Sequence, residues 1–301
     1  MLYTSSMEPN KVDNITLRDG RTTEYAEYGD SEGENMIFFH GFIGSHNQAS
    51  PAHEAAQRHG LRMIAPNRAG VGHSSPNETR TIIDRMDDVR QLVDDLDIAE
   101  FNVMGVSGGA PYALATAHDL RERVKSVTIV SGMGTVADRE LLNRMESTRR
   151  RMLQLAQCPL LADMVLAYRM REYKTDPRAF LRKLVKTWPE ADQKLFEDPS
   201  LQGMFLRDLE NVLAIGSGTK GLSKELKRYF RWGFDPSTIS QKVHFWHGTE
   251  DTVVPPVTSE YMAERLPDTE VSLLSGGHSV IVEIVDDVIE KMQASLKDTN
   301  S

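Results

Sequence analysis

Apolar residues in this chain come in short runs, and the interval between runs changes part-way along. Residues 12–18 and 21–28 read as two strands joined at Asp19-Gly20, a dipeptide that favours hairpin turns. Further strand-type runs follow at 35–39, 62–66, 101–106 and 126–130. Helices are predicted between them at 47–59, 81–96 and 110–119. In the second, Ile82, Met86, Val89, Val93 and Leu96 recur at helical spacing with acidic residues between. Strands that are apolar throughout and alternate with helices predict a parallel sheet covered on both faces.

After Gly132-Met133-Gly134 this rhythm stops. Residues 135–232 hold no strand candidate, only helical stretches at 138–157, 160–173, 178–187, 201–215 and 223–230. Gly216-Ser217-Gly218 separates the last two. The rhythm resumes with a strand at 242–246, a helix at 256–266, a strand at 270–274 and a closing helix to about 296. The pattern therefore predicts an α/β core built from 1–134 and 233–301, interrupted by a helical cap at 135–232. Loops after parallel strands open on the ligand-binding edge, so the insertion is expected to act as a lid.

Charge sharpens this division. The 301 residues carry a formal net charge of -9, which gives no general attraction to nucleic acid. Residues 135–232 nevertheless hold 19 Lys+Arg and 13 Asp+Glu, a net +6 that leaves -15 for the remainder. A basic insertion on an acidic core is expected to attract it, and could also favour acidic substrates. No apolar run reaches the ~18 residues of a membrane span. The first 14 residues are polar and lack an apolar signal core. One cysteine, Cys158, excludes an intramolecular disulfide and a cysteine-based metal cluster. A cytoplasmic setting is the expectation. No H-E-x-x-H pattern suggests a metal, and no cofactor is called for.

The stretch Gly105-Val106-Ser107-Gly108-Gly109 fits G-x-S-x-G at a strand-to-helix junction, the setting of a nucleophile elbow. A serine hydroxyl needs a base to take its proton and a carboxylate to orient that base. His278 follows the 270–274 strand through two glycines, and Asp251 follows the 242–246 strand. The order Ser107, Asp251, His278 suits this architecture. His247 is the rival base and Glu250 the rival acid. His40 and His73 read as structural. Residues 131–134 contain no carboxylate. For the oxyanion that forms on attack, the backbone amides of Gly108 and Phe42 are the candidate donors. All three reactive candidates lie outside the insertion, which is therefore expected to select substrate and leave the chemistry untouched.

These residues resemble the α/β-hydrolase family, in particular its cap-bearing serine hydrolases. The likeness spans about residues 12–296 and rests on "HGFIGS" (40–45), "PNRAGVGHS" (66–74), "GVSGG", "WHGTEDTVVP" (246–255) and "GGHS" (276–279). It implies a mostly parallel eight-stranded sheet with helices on both faces and a helical cap after the sixth strand. Related epoxide hydrolases and haloalkane dehalogenases carry aspartate where Ser107 stands. Asn67 precedes Arg68 where the family usually has aspartate. The expected activity is hydrolysis of a carboxylic ester, a small molecule with a small or medium apolar acyl group, with Met145, Met152, Met164, Met170 and Met204 as possible pocket residues. The alternatives are a proline iminopeptidase-like peptidase, a C–C bond hydrolase, a lactonase, or a triad-bearing receptor with little turnover. The peptidase needs a cap carboxylate for the substrate amine, and Glu146, Asp163, Glu172 and Glu210 are candidates. Oligomeric state is not legible.

Overall fold

In a computed structural model describing residues 8–299, all eight predicted strands are present in one sheet: β1 (Lys11–Thr16), β2 (Thr22–Gly29), β3 (Glu34–Phe39), β4 (Leu61–Pro66), β5 (Phe101–Val106), β6 (Val124–Val130), β7 (Val243–Gly248) and β8 (Thr269–Leu274). Their order is β1-β2-β4-β3-β5-β6-β7-β8. β2 pairs antiparallel with both β1 and β4, and the pairs from β4 onward are parallel.

Both faces of the sheet are covered at its centre, which explains why strands such as β3 and β4 carry apolar side chains on both faces, while the edge strands β1 and β8 are largely exposed or half-buried. On β3, Ile37 and Phe39 enter one core cluster while Met36 and Phe38 enter another. That alternation is the two-residue period of a strand with both faces buried. Helices α1 (His53–Arg58) and α12 (Ile281–Thr299) cover the Met36 face. Helices α2 (Met86–Asp95), α3 (Ala110–Asp119) and α11 (Val257–Ala263) cover the other.

Between β6 and β7 the described residues contain helices only: α4 (Arg139–Arg144), α5 (Ser147–Ala156), α6 (Pro159–Thr175), α7 (Pro177–Val185), α8 (Glu190–Leu195), α9 (Pro199–Glu210) and α10 (Gly218–Tyr229). Four predicted helices are divided, the 81–96 stretch opening as a 3-10 turn at Ile83–Arg85. The 47–59 stretch begins as a 3-10 turn, His46–Ala52, with Pro51 inside it. A proline cannot donate the helical hydrogen bond, so the α-helix starts only at His53. The 138–157 stretch breaks at Met145 and Glu146, which both adopt extended backbone, and Glu146 caps α5 by accepting from the Thr148 amide. The 201–215 stretch ends in a π-turn at Asn211–Ile215. The short α8 carries too few apolar positions to show helical spacing.

Opposite charge joins insertion and core. Arg144 meets Glu264 at 2.7 Å, Lys224 pairs with Glu78, and buried Glu225 lies 2.9 Å from buried Arg68. Among the described residues no helix is long and apolar enough to cross a membrane. Since Phe38 is 2% exposed at the centre of the sheet, Phe38→Ala should lower unfolding free energy by about 3–5 kcal/mol. A chemical-denaturation midpoint measures it, and a loss under about 1 kcal/mol would show that the site collapses around the gap.

Candidate active site

The chain leaves β5 through a single 3-10 turn, Ser107–Gly109, and enters α3 at once. Ser107 takes φ 52, the left-handed region that costs a non-glycine residue energy. A turn this tight leaves no room beside it. A Cβ on Gly109 would strike the Phe39 carbonyl, and one on Gly105 would lie 2.8 Å from the Ala113 methyl carbon. Glycine is required at both places for close approach.

The turn aims the serine hydroxyl at His278. Ser107 Oγ is 2.9 Å from His278 Nε2, and His278 Nδ1 is 2.7 Å from Asp251 Oδ2. Asp251 follows β7 and His278 follows β8, so three strand ends on one edge of the sheet supply the three groups. The other Asp251 oxygen accepts from the backbone amides of Val253 and Val254, at 2.7 and 2.9 Å. Burial disfavours the Asp251 charge, but the charge of His278 and hydrogen bonds from His247 and His278 outweigh it, holding the carboxyl at about 2. For His278, burial pulls the pKa down while the Asp251 charge and hydrogen bond push it up, with Asp192 adding to the rise. The net shift is upward.

His247 lies in the same network but not at the serine. Its Nε2 is 3.2 Å from Asp251 Oδ2 and 2.8 Å from the Val254 carbonyl, and its Nδ1 is 2.7 Å from Ser259 Oγ. Both Nε2 neighbours are acceptors, so the ring carries its proton on Nε2 and acts as a second donor to Asp251. Glu250 is exposed and accepts from Ser275 Oγ at 3.2 Å. His73 pairs with Glu24 at 2.7 Å.

The loop after β3 lies against the turn. A Cβ on Gly108 would stand 2.7 Å from the Phe42 amide nitrogen, which places the two candidate donors side by side. Arg68 Nη2 donates to the Gly41 carbonyl at 2.7 Å, and Arg68 also holds the His40 carbonyl. In a trans peptide the carbonyl and the following N–H point opposite ways. Drawing the Gly41 carbonyl toward Arg68 therefore turns the Phe42 N–H away from Arg68. His40 is buried and neutral: burial first, then the Arg68 charge, hold its pKa well below 6.5. Its Nδ1 bonds the Gly41 carbonyl at 3.0 Å, so it shapes this loop. Asn67 has a role an aspartate could not fill, since its amide donates to Glu24 Oε2 at 2.5 Å while its carbonyl accepts from the His46 amide at 2.7 Å.

The insertion does not stand apart from these groups, which corrects the reading from chain order. Asp192 of α8, fully buried, accepts from the backbone amides of His278 at 2.8 Å and Ser279 at 2.7 Å. Asp208 of α9, also fully buried, accepts from the Ser45 amide at 3.1 Å and the Ser45 hydroxyl at 2.6 Å. Burial pushes the Asp208 carboxyl up to about 7 against hydrogen bonds from Ser45 and Gln48. Neither aspartate showed in the sequence, because both contacts span long separations. The four carboxylates considered for an amine are engaged otherwise or exposed: Glu146 caps α5, Glu172 pairs with Arg169 and Lys183, and Asp163 and Glu210 face solvent. Met145 and Met204 are buried, Met170 packs against the small core around Tyr173 and Phe180, and Met152 and Met164 are exposed. Among the described residues no group of three or more His, Cys, Asp or Glu is placed to hold a metal ion.

Residues 34–283 match the family model described as alpha/beta hydrolase fold. A probable lysophospholipase, BODYGUARD 4 of Arabidopsis thaliana, is 33% identical over 39% of this chain and 29% of its own length. The dihydrolipoyllysine-residue acetyltransferase component of the acetoin cleaving system of Pseudomonas putida is 27% identical over 92% of this chain and 67% of its own. The chain thus spans under a third of the first relative and two thirds of the second. Among solved structures, an esterase from Exiguobacterium antarcticum superposes with a TM-score of 0.71 at 17% identity, covering 95% of this chain and 100% of that one. At that identity the likeness speaks for the fold alone.

The geometry sets a titration. His278 should titrate above 6.5, read by NMR of the histidine ring. Asp251→Asn removes the charge that raises it, so the midpoint should fall below the wild-type value. Asp192→Asn should lower it by less, while replacing one acceptor with a donor that faces a backbone N–H. A His278 midpoint unchanged in Asp251→Asn would break the electrostatic account.

Proposed function

The chain belongs to the alpha/beta hydrolase fold family, and we propose that it hydrolyses carboxylic esters with a small or medium apolar acyl group through an acyl-Ser107 intermediate. The observation that carries this reading is the hydrogen-bonded chain from Ser107 to His278 to Asp251, with Ser107 held at a strained φ at the sheet edge. In this reading His278 Nε2 takes the Ser107 proton as Oγ attacks the ester carbonyl. The carbonyl oxygen becomes an oxyanion received by the Phe42 and Gly108 amides. Protonated His278 returns its proton to the departing alcohol oxygen, leaving the acyl-serine. A water then attacks the acyl carbon, gives a proton to His278, and the tetrahedral species releases the acid and restores Ser107. Asp251 orients the ring and balances its positive charge throughout.

Residues 135–232 act as the cap that selects substrate in this proposal, and α8 and α9 also brace the loops that carry His278 and follow Phe42. The peptidase alternative requires a carboxylate open to an amine. Asp192 already spends both oxygens on backbone amides, and Asp208 is fully buried against Ser45. Glu146 and Glu172 are engaged elsewhere, which leaves Asp163 and Glu210 open, so turnover of proline substrates decides between the two readings.

Ser107→Ala should leave a folded protein whose ester turnover is at least about 10³-fold lower, with fluorophosphonate labelling lost. Comparable turnover in that variant would end the assignment. A panel of p-nitrophenyl esters should show a chain-length optimum, since one methylene in a pocket is worth about 1–3 kcal/mol. Turnover confined to amine-bearing proline substrates would install the peptidase instead.

The acid limb of kcat/KM follows from the raised pKa of His278. The base is competent only when neutral, so activity should be complete well above its pKa and fall away as pH drops through a midpoint above 6.5. An acid limb centred well below 6.5 would exclude His278 as the base.

A further inference from the structure

Helices α5 and α6 of the insertion pack against each other. Of the ten large apolar side chains exposed among the described residues, seven belong to this pair. On α6, Leu161, Met164, Val165 and Tyr168 recur at three- and four-residue spacing and so share one stripe. Met152 and Leu155 continue the apolar character on α5. Their exposures run from 42% to 61%, a concentration that a surface meeting only water rarely keeps.

Cations extend the same stripes. Arg151 lies one turn before Leu155, and Arg171 one turn after Tyr168. Residues 147–175 carry six Lys+Arg against two Asp+Glu. One of the two acids, Glu172, is already held by Arg169 and Lys183. Arg151, Arg171 and Lys174 have no ion pair among the described residues.

We propose that this α5–α6 face docks on an anionic lipid–water interface. Such a surface offers an apolar layer to the stripe and negative headgroups to the cations beside it, the pairing an amphipathic interfacial helix requires. Tyr168 has the ring type that settles at such boundaries. A second copy of the chain suits the face less well, because two-fold pairing would oppose its unpaired cations to one another. The core, at net -15, would be repelled by the same membrane, so charge asymmetry orients the cap toward the lipid. This inference goes beyond ester hydrolysis and does not depend on it.

Flotation of the full chain with vesicles tests it. The protein should float with phosphatidylcholine vesicles that contain phosphatidylglycerol, float poorly with phosphatidylcholine alone, and lose binding as salt rises. The double variant Met164→Asp/Val165→Asp should bind about ten-fold less or weaker still. Arg151→Glu/Arg171→Glu should remove the salt-sensitive part. These positions are exposed, so circular dichroism and Tm should not change. Ser107→Ala should float as the wild type does, which separates docking from turnover. The proposal fails if the wild type does not float with anionic vesicles or if the aspartates leave flotation unchanged. It also fails if sedimentation velocity shows the aspartates splitting a dimer while no vesicle is bound, which would make the face a contact between copies.

Discussion

At the end of β5 the chain must reverse from strand to helix within three residues while a side chain projects out of the turn. Ser107 meets that demand with a left-handed backbone, and the residues around it give way. Gly109 presses on the Phe39 carbonyl and Gly108 on the Phe42 amide, so β3 and its loop are locked to the same point. The parallel pairing of β3 with β5 brings these two strand ends level. The strain at Ser107 is tolerated because this packing over-determines it.

A second constraint is buried charge. A carboxylate taken from water is costly unless donors surround it. Asp251 meets two backbone amides and two imidazoles, so its charge is kept at the centre of the network. Asp192 accepts from the His278 and Ser279 amides, and Glu225 meets Arg68 and Arg228. For Glu225, burial opposes the charge and the two arginines overcome it, holding the carboxyl below its usual range. Arg68 in turn grips the carbonyls that precede Phe42. Carboxylates of the insertion therefore reach both loops beside Ser107: Asp192 bonds the His278 loop directly, and the loop after β3 is held directly by Asp208 and through Arg68 by Glu225. A buried ion left without its partner costs several kcal/mol, so insertion and core are coupled rather than merely adjacent.

The outer face of the insertion follows a different rule. Hydrogen bonds and ion pairs tie the insertion to the core, yet α5 and α6 leave apolar side chains in solvent beside unpaired cations. Stability of the fold does not require that arrangement. The -15 of the remainder makes the molecule electrically lopsided, with the basic end also the apolar one.

All eight strands were legible in the sequence: the central ones because a strand buried on both faces is apolar at consecutive positions, and the exposed β1 because Asp19-Gly20 marks the hairpin that joins it to β2. So were the glycine-flanked serine and the order of Ser107, Asp251 and His278, since these follow from what a tight turn and a strand end demand locally. Helix boundaries were less legible where Pro51, Glu146 and Asn211 interrupt a periodic run. Tertiary structure alone decided that His247 attends Asp251 rather than Ser107, that Asn67 bridges Glu24 and His46, and that Asp192 and Asp208 brace the loops. Asp192 and His278 are 86 residues apart in sequence, and no local pattern marks one buried carboxylate among 44 acidic residues as the one that will meet two amides. Periodicity reports which face of an element is buried; only the packed chain determines which polar group it is buried against.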